Sequence, residues 1–64
     1  MTRKETEMYQ INIEAAASII SSNIGQHVVN SVFNRYDASN VYDLNPADLP
    51  DVFDELSAIE DDLR

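Results

Sequence analysis

The sequence predicts a small all-α fold of three helices: a helical hairpin followed by an acidic C-terminal helix. Two observations lead there. Apolar residues recur at helical spacing in three separate stretches, and turn-forming residues break the pattern near 21–25 and again over 37–48. The chain contains no internal repeat and no Gly- or Ser-rich linker, so 1–64 reads as a single domain with helices at about 5–21, 24–36 and 48–63.

In the first helix, at about 100° per residue, Met8, Ala15, Ala16, Ile19 and Ile20 gather on one face with Ile13 on its flank. Glu7, Gln10, Glu14, Ser18 and Ser21 take the other side, and Asn12 falls inside the apolar arc. The run Tyr9-Gln10-Ile11-Asn12-Ile13 also alternates like a strand, but a lone strand without a partner is unstable, so helix is the reading adopted.

Ser21 to Gly25 interrupts the pattern in one of two ways. Gly25 closes the first helix in the left-handed conformation that glycine tolerates, or Asn23 caps the second and Gln26 reaches back to it as in a capping box. The second helix then carries Val28, Val29, Val32, Phe33 and Tyr36 as an amphipathic stripe, which its three valines require packing to stabilise.

Asp37-Ala38-Ser39-Asn40 is a turn, after which Val41 and Leu44 are spaced to plug the end of the core from a single helical turn. Asn45-Pro46 has the form of a cap followed by proline at the first helical position, but Pro50 disfavours helical angles at Leu49 and makes Asp48 the rival cap. Beyond it Leu49, Val52, Phe53, Leu56, Ile59 and Leu63 share one arc, the cleanest amphipathic pattern in the chain.

A 64-residue chain buries only about 60% of its unfolded surface, and small scaffolds usually need a disulfide, a metal or self-association. There are no cysteines and only one histidine, which excludes disulfides and argues against zinc. Tight helix packing or self-association remains as support, and a homodimer is the default expectation. The first helix supplies the means: Ile11, Ile13, Ala15, Ala16, Ala17, Ile19, Ile20 and Ile24 exceed what one face requires. Either all are core, or part of this surface, with Ile11 and Ala17 on its flanks, packs against a twin subunit.

Charge is the unusual feature. The net charge is −8, and residues 1–36 balance three acids against three bases. Residues 37–64 carry nine acids against Arg64 alone, so the whole imbalance lies in the second half. That half repels nucleic acid and anionic membranes and attracts basic surfaces. No secretory signal or membrane span is read in the chain, and the expected location is the cytoplasm.

Opposite the apolar arc of the third helix lie Asp48, Asp51, Asp54, Glu55, Asp61 and Asp62. A solvated face normally mixes signs, because Glu–Lys pairs four apart add a few tenths of a kcal/mol while like charges cost as much. Acids at the helix end also oppose the macrodipole. Such a face suits a protein partner with a basic surface. The expectation is an inhibitor or modulator that occupies a target enzyme's nucleic-acid-binding surface, in the manner of DNA mimics from phages and mobile elements. The alternative is a homodimerisation or adaptor module that works through the first helix.

No enzyme activity, cofactor or metal is expected. His27 has only Asn23, Ile24, Asn30 and Ser31 at helical spacing, so no local carboxylate would orient it as a base. A calcium loop begun at Asp37 fails, with Val41 at a ligand position and Tyr42 in the glycine slot. Direct nucleic-acid binding is not expected from Arg3, Lys4 and Arg35 against so many acids.

Overall fold

The computed structural model describes residues 2–63; Met1 and Arg64 lie outside the described residues. The chain folds into three helices, α1 (Arg3–Asn23), α2 (Gln26–Asn34) and α3 (Leu49–Asp62), and no strand occurs among the described residues. Tyr9–Ile13 is helical throughout.

Helix α1 extends beyond the expected 5–21 at both ends, for local reasons. At its start Thr2 and Glu5 form a capping box: the Glu5 N–H donates to Thr2 Oγ1 at 3.2 Å, and the Thr2 N–H donates to Glu5 Oε1 at 3.3 Å. At its end Asn23 stays helical and its Nδ2 donates back to the Ile19 carbonyl at 2.7 Å. The capping box considered at Asn23 and Gln26 is therefore not formed. The Gln26 side chain instead bonds Ser21 and Asn30.

Gly25 makes the turn. With φ 138° and ψ 155° it holds a backbone region essentially reserved for glycine, and it stands at the N-cap of α2 with no side-chain cap. A Cβ there would also meet His27 Nδ1 at 2.8 Å.

Helix α2 is shorter than the expected 24–36. It stops at Asn34 because Asp37 turns to φ 57°, which lets the Ala38 N–H reach back to the Phe33 carbonyl at 3.1 Å. This six-to-one closure buries Ala38 behind the helix end. Asn40 then caps a 3₁₀ turn, Val41–Asp43, its Oδ1 accepting from the Tyr42 N–H at 2.8 Å and the Asp43 N–H at 3.2 Å. Val41 and Leu44 plug the core from this turn, as their spacing predicts.

Both candidate caps ahead of α3 mark real starts, of different elements. Asn45 caps a second 3₁₀ turn, Pro46–Asp48, by accepting from the Ala47 N–H at 3.0 Å. Asp48 occupies the N-cap of α3, yet its side chain makes no capping hydrogen bond and its backbone is already helical. Pro50 is tolerated in the first turn, where no intrahelical N–H is needed.

The core is one cluster of Ile13, Ala16, Ile20, Val29, Val32, Phe33, Ala38, Val41, Leu44, Leu49, Val52 and Leu56, flanked by half-buried Tyr9, Ala17, Val28, Tyr36, Phe53 and Ile59. The arcs expected on α2 and α3 face it, except that Leu63 at the end of the α3 arc is 36% exposed. The face expected on α1 does so only in part: Ala16, Ile20 and the flanking Ile13 are buried with Tyr9 and Ala17 beside them, while Met8, Ala15 and Ile19 are exposed. The buried stripe is rotated by roughly 80° from the expected one. The cause is tertiary, because Tyr9 packs edge-on against Phe53 of α3 at a centroid distance of 6.0 Å and turns that side of α1 inward. Tyr42 is 68% exposed, since Asn40's cap seats Val41 inward and the next side chain faces out.

Candidate functional site

The outer face of α3 is set by the residues that lock its inner face. With Leu49, Val52 and Leu56 fully buried, residues half a turn away point to solvent. Asp51, Asp54, Asp61 and Asp62 are all exposed there. No cation among the described residues stands within ion-pair distance of any of the four; Arg3 pairs with Glu7 and Arg35 with Glu55. The last turn of α3 contains no basic residue to offset its dipole.

The other two acids assigned to this face are placed differently. Asp48 is half-buried at the helix start. Glu55 turns toward α2, where its Oε1 lies 3.0 Å from Arg35 Nη1, and its Oε2 is shut off from solvent with no hydrogen bond of good geometry. Tyr36 joins this cluster. Its hydroxyl pKa is raised first by burial, then by donation to the Glu55 carboxylate and by the negative charges of Glu55 and Asp51. Glu55 is therefore engaged within the fold, and the outward carboxylates are Asp51, Asp54, Asp61 and Asp62.

Two open grooves flank the bundle. One, of about 430 Å³, runs between α1, α2 and the first 3₁₀ turn over a floor of Ala17, Val29 and Phe33. Tyr42 overhangs it, and its hydroxyl pKa is raised chiefly by donation to Glu14. The other, of about 330 Å³, lies between α1 and α3 and is lined by Met8, Tyr9, Asn12 and Phe53 with Glu5 at its rim. Neither includes His27, which is exposed at the start of α2, so the serines of the first groove have no imidazole among its lining residues. No group of three His, Cys, Asp or Glu side chains converges to hold a metal among the described residues.

Of the two residues assigned to a self-association surface, Ile11 is 67% exposed. Ala17 is half-buried against the core and lines the first groove, about a third of a turn from Ile11. The exposed companions of Ile11 are Met8, Ala15 and Ile19, which helical spacing alone places on the apolar arc assigned to the core. The signal available was Asn12, a polar side chain inside the supposed apolar arc.

No helix among the described residues is long and apolar enough to cross a membrane. Comparison with models of known protein families, with curated proteins and with solved structures finds no match.

Proposed function

We propose that this chain is a protein-binding module whose α3 carboxylates occupy the basic, nucleic-acid-binding surface of a target enzyme, as a DNA-mimic inhibitor or modulator from a phage or mobile element would. The observation that carries this reading is the set of four exposed aspartates, Asp51, Asp54, Asp61 and Asp62, without a counter-cation among the described residues. From the first to the last the helix rises roughly 16 Å, a mean spacing of ~5.5 Å between charges. A DNA strand offers one per about 3.4 Å, so the row carries roughly 60% of the linear charge density of one strand.

Energetics favour the same reading. Asp61 and Asp62 near the C-terminal end each cost about 0.3–1 kcal/mol against the helix dipole at low salt. A basic partner would turn that cost into attraction, whereas an ordinary solvated face would lower it with interspersed lysines.

The test is capture from host lysate at low and high salt, comparing wild type with the combined Asp51→Asn, Asp54→Asn, Asp61→Asn and Asp62→Asn variant. The reading expects a nucleic-acid-binding protein that wild type retains, that duplex DNA and salt displace, and that the variant misses. If both proteins hold the same partner at both salt levels, the carboxylates serve solubility alone.

A further inference from the structure

We propose that α1 pairs with α1 of a second copy, antiparallel, through the exposed stripe of Met8, Ile11, Ala15 and Ile19. Met8 is 55%, Ile11 67% and Ile19 43% exposed, and Ala15 is exposed between them. At intervals of three, four and four residues they form one seam on the side of α1 turned away from the core. The stripe is separate from the acidic face of α3, so this pairing stands or falls independently of the proposed target.

Three features of the seam select a second copy as its occupant. The first is self-complementarity, which a two-fold interface requires. With the axis between Ile13 and Glu14, Met8 of one copy faces Ile19 of the other, and Ile11 comes within one residue of facing Ala15, a large side chain near a small one. Ser18 and Ser22, both exposed beside the seam, leave room for close approach.

The second is charge. In a chain of net charge −8, the seam carries no ionised side chain between Met8 and Asn23. The flanking acids are Glu7, paired with Arg3 at 3.5 Å, and Glu14, which lines the first groove together with Tyr42. Residues 1–36 balance their charges, so two copies meeting here keep their acidic halves out of the contact.

The third is complementarity at the ends. The last turn of α1 has no basic residue to offset its dipole. Antiparallel pairing brings Lys4 of one copy beside Asn23 of the other, which supplies a cation where the helix end lacks one. Parallel pairing would instead set Lys4 against Lys4 and align the two dipoles.

The surface is small. Two such stripes bury on the order of 800 Å² in all, under the ~1,200 Å² of standard interfaces, so the dimer is a weak and concentration-dependent one.

Sedimentation equilibrium from low micromolar to millimolar protein tests this. The average mass is expected to rise from the 7.2 kDa monomer toward twice that value, and high salt should not reverse the rise. Ile11→Lys with Ile19→Lys should remain monomeric. The chain has no native cysteine, so a Met8→Cys protein mixed with an Ile19→Cys protein reports the register. Antiparallel pairing gives a mixed disulfide that neither protein forms alone. A wild type that stays monomeric, a lysine variant that still dimerises, or cross-linking of each cysteine protein with itself would each overturn the proposal.

Discussion

Arg35 Nη1 stands 3.0 Å from Glu55 Oε1, and this ion pair ties the end of α2 to the second turn of α3. The two partners contribute unequally. Arg35 is 61% exposed and loses little hydration, whereas Glu55 is 32% exposed with one oxygen already buried. Removing the guanidinium leaves a half-buried carboxylate without its cation; removing the carboxylate's charge leaves nothing stranded.

Arg35→Ala is therefore expected to destabilise the fold by about 1–3 kcal/mol. Glu55→Gln should stay within about 1 kcal/mol of wild type, the range of partly exposed pairs. The double variant should be more stable than Arg35→Ala alone. Urea unfolding of the four proteins measures this directly, and equal losses for the two single variants would contradict it.

Ile19 and Ile20 are neighbours with opposite fates. Ile20 is fully buried and Ile19 is 43% exposed. Ile20→Ala should cost about 2–5 kcal/mol, a large part of the roughly 3–10 kcal/mol available to a domain of this size. Ile19→Ala should leave the dilute monomer within about 0.5 kcal/mol of wild type. Thermal melts at low concentration separate the two, and the reverse order would contradict the observed rotation of α1.

Gly25→Ala meets two obstacles, a backbone at φ 138° and a Cβ within 2.8 Å of the His27 ring. The expected loss is about 1–3 kcal/mol from the backbone alone. Adding His27→Ala relieves the contact but not the dihedral strain, so denaturant midpoints should recover only in part. Full recovery would assign the loss to the side-chain contact.

Tyr36 and Tyr42 both hold their protons to higher pH in the folded chain than the usual value near 10. Between the unfolded and folded pKa values the native state binds more protons. Their contribution is intact below about pH 10 and is lost as pH rises through the folded values. Stability should fall on the alkaline side, and Tyr36→Phe with Tyr42→Phe should flatten that fall. Urea midpoints at a series of alkaline pH values check this, and an unchanged slope would remove the tyrosines as its cause.

Much of the fold could be read locally. Leu49, Val52 and Leu56 repeat at helical spacing and are fully buried, and Asn40 and Asn45 each cap the turn that follows them. The Thr2–Glu5 capping box was legible in the same way, as a Thr followed three residues later by Glu, and it was the signal overlooked. Of the candidate site, the outward position of Asp51, Asp54, Asp61 and Asp62 followed from the same periodicity. The inward turn of Glu55 did not, because its partner Arg35 lies twenty residues earlier in the chain.

By itself the sequence determined that there are three helices, where their ends fall to within two residues, and that the acidic charge gathers on the last. Helical spacing and short-range hydrogen bonds decide such features within a few residues. Tertiary structure alone decided which of the two apolar stripes on α1 enters the core, where Tyr42 points and which carboxylate is engaged internally. The physical reason is that periodicity sets the angles between side chains on one helix, whereas its rotation about its own axis is set by what packs against it. For α1 that is Phe53 against Tyr9. The same packing leaves Met8, Ile11 and Ile19 on the outside.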